Sequence, residues 1–233
     1  MAARHLDFAL CGCETGSSAL ISMPSNKRLT ITVGVTGASG AIFAQKTLAL
    51  LEEDSRVARI HLVVTETGQR LFAEELRIPS GDLKKLPERV LGRAPKKIEV
   101  LSNKDVGASI ASGSYAVDAM IVIPCTVGAL AAIACGTCDD LVARAADVML
   151  KESRKLILCV RDTPFNRIHL ENMLCAQAAG AMIMPVVPSF YHLPKTIDDL
   201  VTQYVCRVLA QAGLPQEKMF RWTGSASARK KKS

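Results

Sequence analysis

Apolar, β-branched residues gather in short blocks along this chain, and the blocks alternate with stretches of helical periodicity. Residues 29–36 (LTITVGVT) read as a buried strand, and Gly37-Ala-Ser-Gly40 turns the chain into a helix over 41–53. A second strand is predicted over 59–65, then a helical stretch near 69–76 and a short third strand over 98–101. A strand over 118–123 stops at Pro124 and leads into helices over 127–135 and 139–152. A strand over 156–160, a helix over 166–179, a strand over 181–185 and a closing helix over 197–212 complete the order. Residues 78–95, rich in Pro, Gly and charge, read as a surface excursion, and 107–114 as a small polar loop. This alternation predicts one α/β domain over 27–223: Rossmann-like (flavodoxin-like), doubly wound, with a mainly parallel sheet covered on both faces. Residues 1–26 are expected to be a disordered N-terminal extension, with Met23 a second candidate start, and 224–233 a basic flexible tail.

A doubly wound sheet binds ligands beyond the carboxyl ends of its strands, near the point where strand order reverses. Four segments therefore matter. Thr36-Gly-Ala-Ser-Gly-Ala41 is neither GxGxxG nor GxSxG; it is either an anion-cradling turn or a tight strand-to-helix turn capped by Ser39. Glu66, just past the second strand, is a ribose-binding carboxylate or, better, a helix-starting acid. Pro124-Cys-Thr-Val-Gly-Ala129 offers Thr126 and successive amides to a phosphate or a flavin edge, or Thr126 as a plain helix cap. Arg144, Asp147 and Lys151 share one helix face, as a basic site or a solvated ion-pair stripe. Arg161-Asp-Thr-Pro164 puts a cation and a carboxylate right after a strand.

Composition narrows the classes. Across 233 residues, 49% apolar and 22% charged residues describe a globular chain, long enough to fold without a metal or disulfide staple. The net charge of +7 invites a nucleic-acid partner, but Arg229 and Lys230 to Lys232 supply four of those charges. Without them, 25 basic residues stand against 22 acidic ones, a body of +3. Aromatics, at 4%, are too few for base-stacking platforms, so no nucleic acid is expected. The longest apolar run, 119–135, is broken by Pro124 and Gly128, which excludes a membrane span. The first 23 residues carry Asp7 and Glu14 and no apolar core of signal-peptide length. Cys125, Cys159, Cys175 and Cys206 lie in apolar runs, where reduced thiols act as small hydrophobes, so a cytoplasmic location is expected. Cys135 and Cys138 form a CxxC pair with neither a second pair nor a well-spaced histidine, so no metal is expected.

Taken together, TGASGA (36–41), ASGS (111–114), PCTVGALAAIACGTCDDLVARAADVMLKE (124–152), RDTPFNRIHLENM (161–173), PSFYHLP (188–194) and MFRW (219–222) resemble the UbiX-type flavin prenyltransferase family. The resemblance spans about 29–222. It implies a metal-independent transferase that joins the dimethylallyl group of dimethylallyl phosphate to N5 and C6 of reduced FMN. The product, prenylated FMN, serves UbiD-type decarboxylases in ubiquinone biosynthesis and aromatic-acid decarboxylation. It also implies a homododecamer with its site at subunit boundaries. Without a metal, several charge-assisted hydrogen bonds, each contributing about 1.5–3 kcal/mol, must converge on the phosphates.

Position by position, Gly37, Ala38, Ser39, Thr65, Thr126, Val127, Gly128, Ala129, Arg144 and Arg161 match flavin-contacting positions of that family. Ser39 and Glu75 match its proton-handling pair, and Lys151 and Asp162 match catalytic groups near the allyl phosphate. Tyr191, Arg207 and again Lys151 match donor-binding residues, and Trp222 offers an aromatic face to the allyl group. The chain departs from the family at Asp162 (commonly Glu), Ala129 (commonly Thr), Ser153 (frequently Arg), Phe43 and Ala44. Two alternatives stand beside this reading. One is a flavin-dependent decarboxylase of the wider superfamily, which would want a PASANT-type motif where this chain has PCTVGAL. The other is a non-catalytic FMN-binding carrier.

Overall fold

The structure, a computed structural model, describes residues 27–79 and 81–224; the expected extension 1–26 and the tail after Gly224 lie outside the described residues. Strands β1 (Leu29–Val35), β2 (Val57–Val64), β3 (Ile98–Ser102), β4 (Ala119–Cys125), β5 (Lys155–Val160) and β6 (Met182–Ile183) alternate with helices. The helices are α1 (Ala41–Glu53), α2 (Glu66–Leu76), α3 (Leu86–Leu91), α4 (Val127–Cys135), α5 (Leu141–Lys151), α6 (Arg167–Ala178) and α7 (Ile197–Gln211). All five strand pairings are parallel, in the order β3-β2-β1-β4-β5-β6. The order reverses between β1 and β4, so the crevice of this sheet opens where those two strands end.

Alternate residues of β4 face opposite layers, which is why its run is apolar throughout rather than striped. Ile121 and Ile123 enter one core with Ile31, Val33, Leu48, Leu62 and Val205, between the sheet and helices α1 and α7. Met120 and Val122 enter a second core with Val63, Leu130, Val142, Met149 and Leu158, under α4 and α5. Each fully buried Leu, Ile or Phe contributes roughly 1.5–3 kcal/mol.

Four expectations need correcting, the first being the strand over 181–185, which is only Met182–Ile183, since Pro185, which has no N–H, breaks its run of donors. The excursion at 78–95 contains a 3₁₀ turn, Leu83–Lys85, and helix α3, and it buries Ile78, Leu86 and Val90. Asp82 caps that turn through Lys84 N at 3.0 Å, and Pro87 sits in the first turn of α3, where its missing N–H costs nothing. Strand β4 does not stop before Pro124 but runs to Cys125 through a register shift. Cys125, Cys159 and Cys206 are buried as expected, whereas Cys175 on α6 is exposed. Burial drives the Cys159 thiol up to about 12, so it remains protonated.

At the opposite edge from the crevice, Asp54 ties the C-terminal segment to the sheet. It accepts from Arg56 Nε at 2.8 Å, Arg56 Nη2 at 2.6 Å and Gln216 Nε2 at 3.0 Å, while Arg56 also donates to Pro215 O at 3.0 Å. Burial alone would raise the Asp54 carboxyl, but these donors and the Arg56 charge outweigh it and hold it at about 2, against 3.8 ordinarily. A depressed carboxyl stabilises the fold above its unfolded value and loses that contribution as pH falls through the folded one. Asp54→Asn is therefore expected to lower stability at pH 7 by about 1–2 kcal/mol after solvent screening. The difference from wild type should vanish between pH 3.8 and about 2, as read by chemical denaturation across that range.

Candidate functional site

The ends of β1 and β4 are joined by one buried side chain, Thr36. Its hydroxyl donates to Pro124 O at 2.8 Å and accepts from Thr126 N at 2.8 Å, and its own N–H donates to Pro124 O at 3.2 Å. The turns after the two strands are thus one hydrogen-bonded unit. Sequence reading missed this role; the only signal was a lone hydroxyl ending an apolar strand. Thr36→Val keeps the shape and leaves Thr126 N without its acceptor. It is expected to cost about 1–3 kcal/mol of stability in a thermal melt, with weaker flavin binding alongside.

In the first turn, Ala38 is buried and Gly37 and Ser39 face solvent. A Cβ on Gly37 would lie 2.4 Å from Thr67 Cβ, so the close approach of the α2 N-terminus requires glycine there. Ser39 does not cap α1. The N-cap is Gly40, with φ at 124°, and the amides of Gly40 and Ala41 donate instead to the Glu75 carboxylate at 2.9 and 2.7 Å. The anion at this helix N-terminus is a side chain brought from α2. Burial would raise the Glu75 carboxyl, but the Ser39 hydroxyl, the Ala41 and Gly40 amides and the Arg161 charge together hold it below the ordinary range. The Glu75 carboxylate thus feels both the Ser39 hydroxyl and the Arg161 charge.

Thr65 caps α2 through Gly68 N at 3.0 Å and touches Thr67 Oγ1 at 3.1 Å, and Glu66 occupies the first turn as a helix-starting acid. Thr126 caps α4 through Ala129 N at 3.0 Å, with Val127 half-buried beside it. Gly128 is exposed, and a Cβ there would meet nothing nearer than 3.9 Å, so the space above this turn is open. Arg161 follows β5, its N–H on Cys125 O at 3.0 Å, and its side chain has no acidic partner within 4 Å among the described residues. Asp162 accepts from Thr163 N at 2.8 Å. An open turn, an unpaired arginine and a carboxylate–hydroxyl pair suit an anionic, hydrogen-bonding ligand such as FMN.

Arg144 and Lys151 sit elsewhere. Arg144 pairs with Asp147 at 2.9 Å and donates to Ala111 O at 3.2 Å. Helix α5 starts against Asn103 O, past the end of β3, and finishes just before β5 begins, so Lys151 lies at the amino edge of the sheet. Within one chain, Lys151 does not join Ser39; it pairs with Glu152 at 2.8 Å, beside Gly113. The 107–114 loop is more ordered than its composition suggests. It contains a 3₁₀ turn, Ser109–Ala111, with Ile110 and Ala111 buried, and Arg154 donates to Gly113 O and Tyr115 O at 2.7 and 2.8 Å.

A third cluster surrounds a cavity of about 550 Å³ lined by Ser189, Tyr191, Gln203, Arg207, Phe220 and Trp222. The Tyr191 and Trp222 rings meet edge-on, centroids 5.4 Å apart. Arg207 has no acidic partner within 4 Å among the described residues. One unpaired cation among aromatic walls suits a small anion with an apolar tail. Among the described residues, no group of three or more His, Cys, Asp or Glu side chains could hold a metal ion, and no helix is long and apolar enough to cross a membrane.

The Flavoprotein family matches residues 15–208. A flavin prenyltransferase UbiX of Halalkalibacterium halodurans is 44% identical over 192 residues, 82% of this chain and 92% of that protein. The chain belongs to the UbiX flavin prenyltransferase family. Among solved members of the family, AnUbiX, crystallised with FMN and dimethylallyl pyrophosphate, aligns with a TM-score of 0.75 at 39% identity, over 85% of this chain and all of that one. A dodecameric FMN-dependent UbiX-like decarboxylase from Escherichia coli O157:H7 aligns with a TM-score of 0.74 at 40% identity, over 84% of this chain and all of that one.

Proposed function

We propose that this protein is a flavin prenyltransferase that transfers a dimethylallyl group from dimethylallyl phosphate to reduced FMN. The observation that carries the reading is a pair of cations without acidic partners within 4 Å among the described residues: Arg161, whose backbone joins the end of β4 at the switch point, and Arg207 in the aromatic cavity. Reduced flavin supplies the nucleophilic N5 and C6. The turns at 37–39 and 126–129, with Thr65 and Arg161, hold and orient it. Glu75, kept ionised, accepts a proton through Ser39. Tyr191 and Arg207 hold the donor phosphate, Trp222 faces the allyl group, and Asp162 returns a proton to the leaving phosphate.

Lys151, at the amino edge, and Arg144 reach such a site only from a neighbouring subunit. Helix α6 supports an assembly, since it buries only Ala176 while exposing Ile168, Leu170 and Leu174. A homododecamer is the assembly this reading adopts, and light scattering showing a monomer would remove Lys151 from the mechanism. The product serves UbiD-type decarboxylases in the cytoplasm, a compartment that suits the six unpaired cysteines among the described residues.

The test is direct. Incubation with reduced FMN and dimethylallyl phosphate should yield a flavin heavier by one C5H8 unit. An unchanged flavin mass would overturn the reading.

A further inference from the structure

Residues 213–222 leave α7, turn at the amino edge and run back along the helix as a strap, bringing Phe220 and Trp222 to the cavity. At its start the strap is held by Gln216 on Asp54 at 3.0 Å and by Arg56 on Pro215 O at 3.0 Å. Among the described residues, one side chain of α7 holds its far end by hydrogen bonds. Gln203 donates from Nε2 to Lys218 O at 2.8 Å and accepts at Oε1 from Phe220 N at 2.7 Å. Both ends of one amide thus grip alternate residues of the strap. Gln203 also lies one helical turn before Arg207, on the same face, and both line the cavity. Beyond this grip the strap is held by ring contacts: Phe220 against His192, centroids 6.3 Å apart, and Trp222 against Tyr191 at 5.4 Å. Trp222 is 61% exposed, so burial does not fix it.

We infer that Gln203 is a positioning residue, which seats the strap so that Trp222 and Phe220 form the aromatic wall opposite Arg207 and close the donor cavity around the apolar end of dimethylallyl phosphate. The inference rests on the prenyltransferase reading for the identity of the donor, but its geometry stands apart from it. Without the amide, Arg207 keeps its place on the helix while the aromatic wall swings free, so donor binding weakens and flavin binding does not change.

Trp222 is the chain's single tryptophan, so intrinsic emission reports on this wall alone. With no flavin present, Gln203→Ala is expected to red-shift that emission and abolish its response to added dimethylallyl phosphate. In turnover the donor KM should rise about tenfold, with kcat and the FMN dissociation constant within about twofold of wild type. Gln203→Glu keeps the acceptor for Phe220 N, loses the donor to Lys218 O and should fall between. Unchanged Trp222 emission in Gln203→Ala would overturn the inference. So would melting temperature, FMN affinity and kcat all falling together with donor affinity, the pattern of a merely structural residue. A protein that never prenylates FMN would defeat the prenyltransferase reading, while the flavin-free emission would still decide whether Gln203 seats the wall.

Discussion

Arg207→Ala is expected to slow flavin prenylation ~10²–10³-fold, the usual effect of removing a preorganised charge donor, while FMN binding stays within about twofold. Arg207 projects from α7 into the aromatic cavity without a carboxylate neighbour among the described residues, so its charge is available to an incoming phosphate. A phosphate held by a bidentate guanidinium needs the fork as well as the charge. Arg207→Lys should therefore recover only part of the lost rate. FMN binding is expected to be spared because the turns proposed to hold the flavin lie after β1 and β4 and not on α7. Product mass followed over time gives the rate, and titration of flavin fluorescence gives the affinity. Near-wild-type turnover of Arg207→Ala would remove this residue from the donor site.

The second large effect is expected at Glu75. Glu75→Ala strips the acceptor from the Gly40 and Ala41 amides and the carboxylate from beside Ser39 and Arg161. Loss of a helix cap costs about 0.5–2 kcal/mol, and loss of a positioned proton acceptor typically costs ~10²–10⁴-fold in rate. Glu75→Gln separates the two, since its amide oxygen still caps α1 but carries no charge. It should melt above Glu75→Ala but below wild type, since it keeps the cap and loses the charge, and prenylate as poorly as Glu75→Ala. The pH dependence follows from the sign of the shift. Because the folded carboxyl lies below its ordinary value of 4.5, its contribution to stability is complete above that pH and is lost as pH falls through the folded value. Prenylation that depends on ionised Glu75 should fade over the same acidic range. Glu75→Gln turning over at the wild-type rate would exclude the proton-handling role.

The sequence made the strand–helix alternation legible because most boundaries carry local punctuation. Helices α1 and α4 begin right after Gly40 and Thr126, where their turns predict, and α4 ends at Gly136. Helix α3 was hidden because its Pro and charged residues resemble a loop, although Leu86 and Val90 point into the core. Strand β4 runs past Pro124 because that residue contributes a carbonyl, not an N–H, to the junction with Thr36. At the site, the turns were readable as chemistry, while the contacts that unite them were not. Thr36 meets Pro124 across 88 residues, and Glu75 meets Gly40 across 35, distances at which no periodicity operates. The resemblance supplied Glu75, and only the fold explains why a carboxylate belongs there. Gln203 carried no signal at all, because an amide on a helix gives no sign of the strap it holds.

The sheet's borders have a consequence for how copies of this chain can meet. On one side the last strand is only Met182–Ile183, before Pro185 breaks the run of donors. On the other, β3 is five residues long and carries Glu99, partnered by Arg59 and His61 of the adjoining strand. Neither border is a useful template for another strand, since one is too short and the other charged. Copies of this chain are therefore not expected to join edge to edge through their sheets. The cohesion of their assembly should then respond to single apolar-to-polar changes along α6, and the sheet of each subunit remains a closed unit whatever the number of copies.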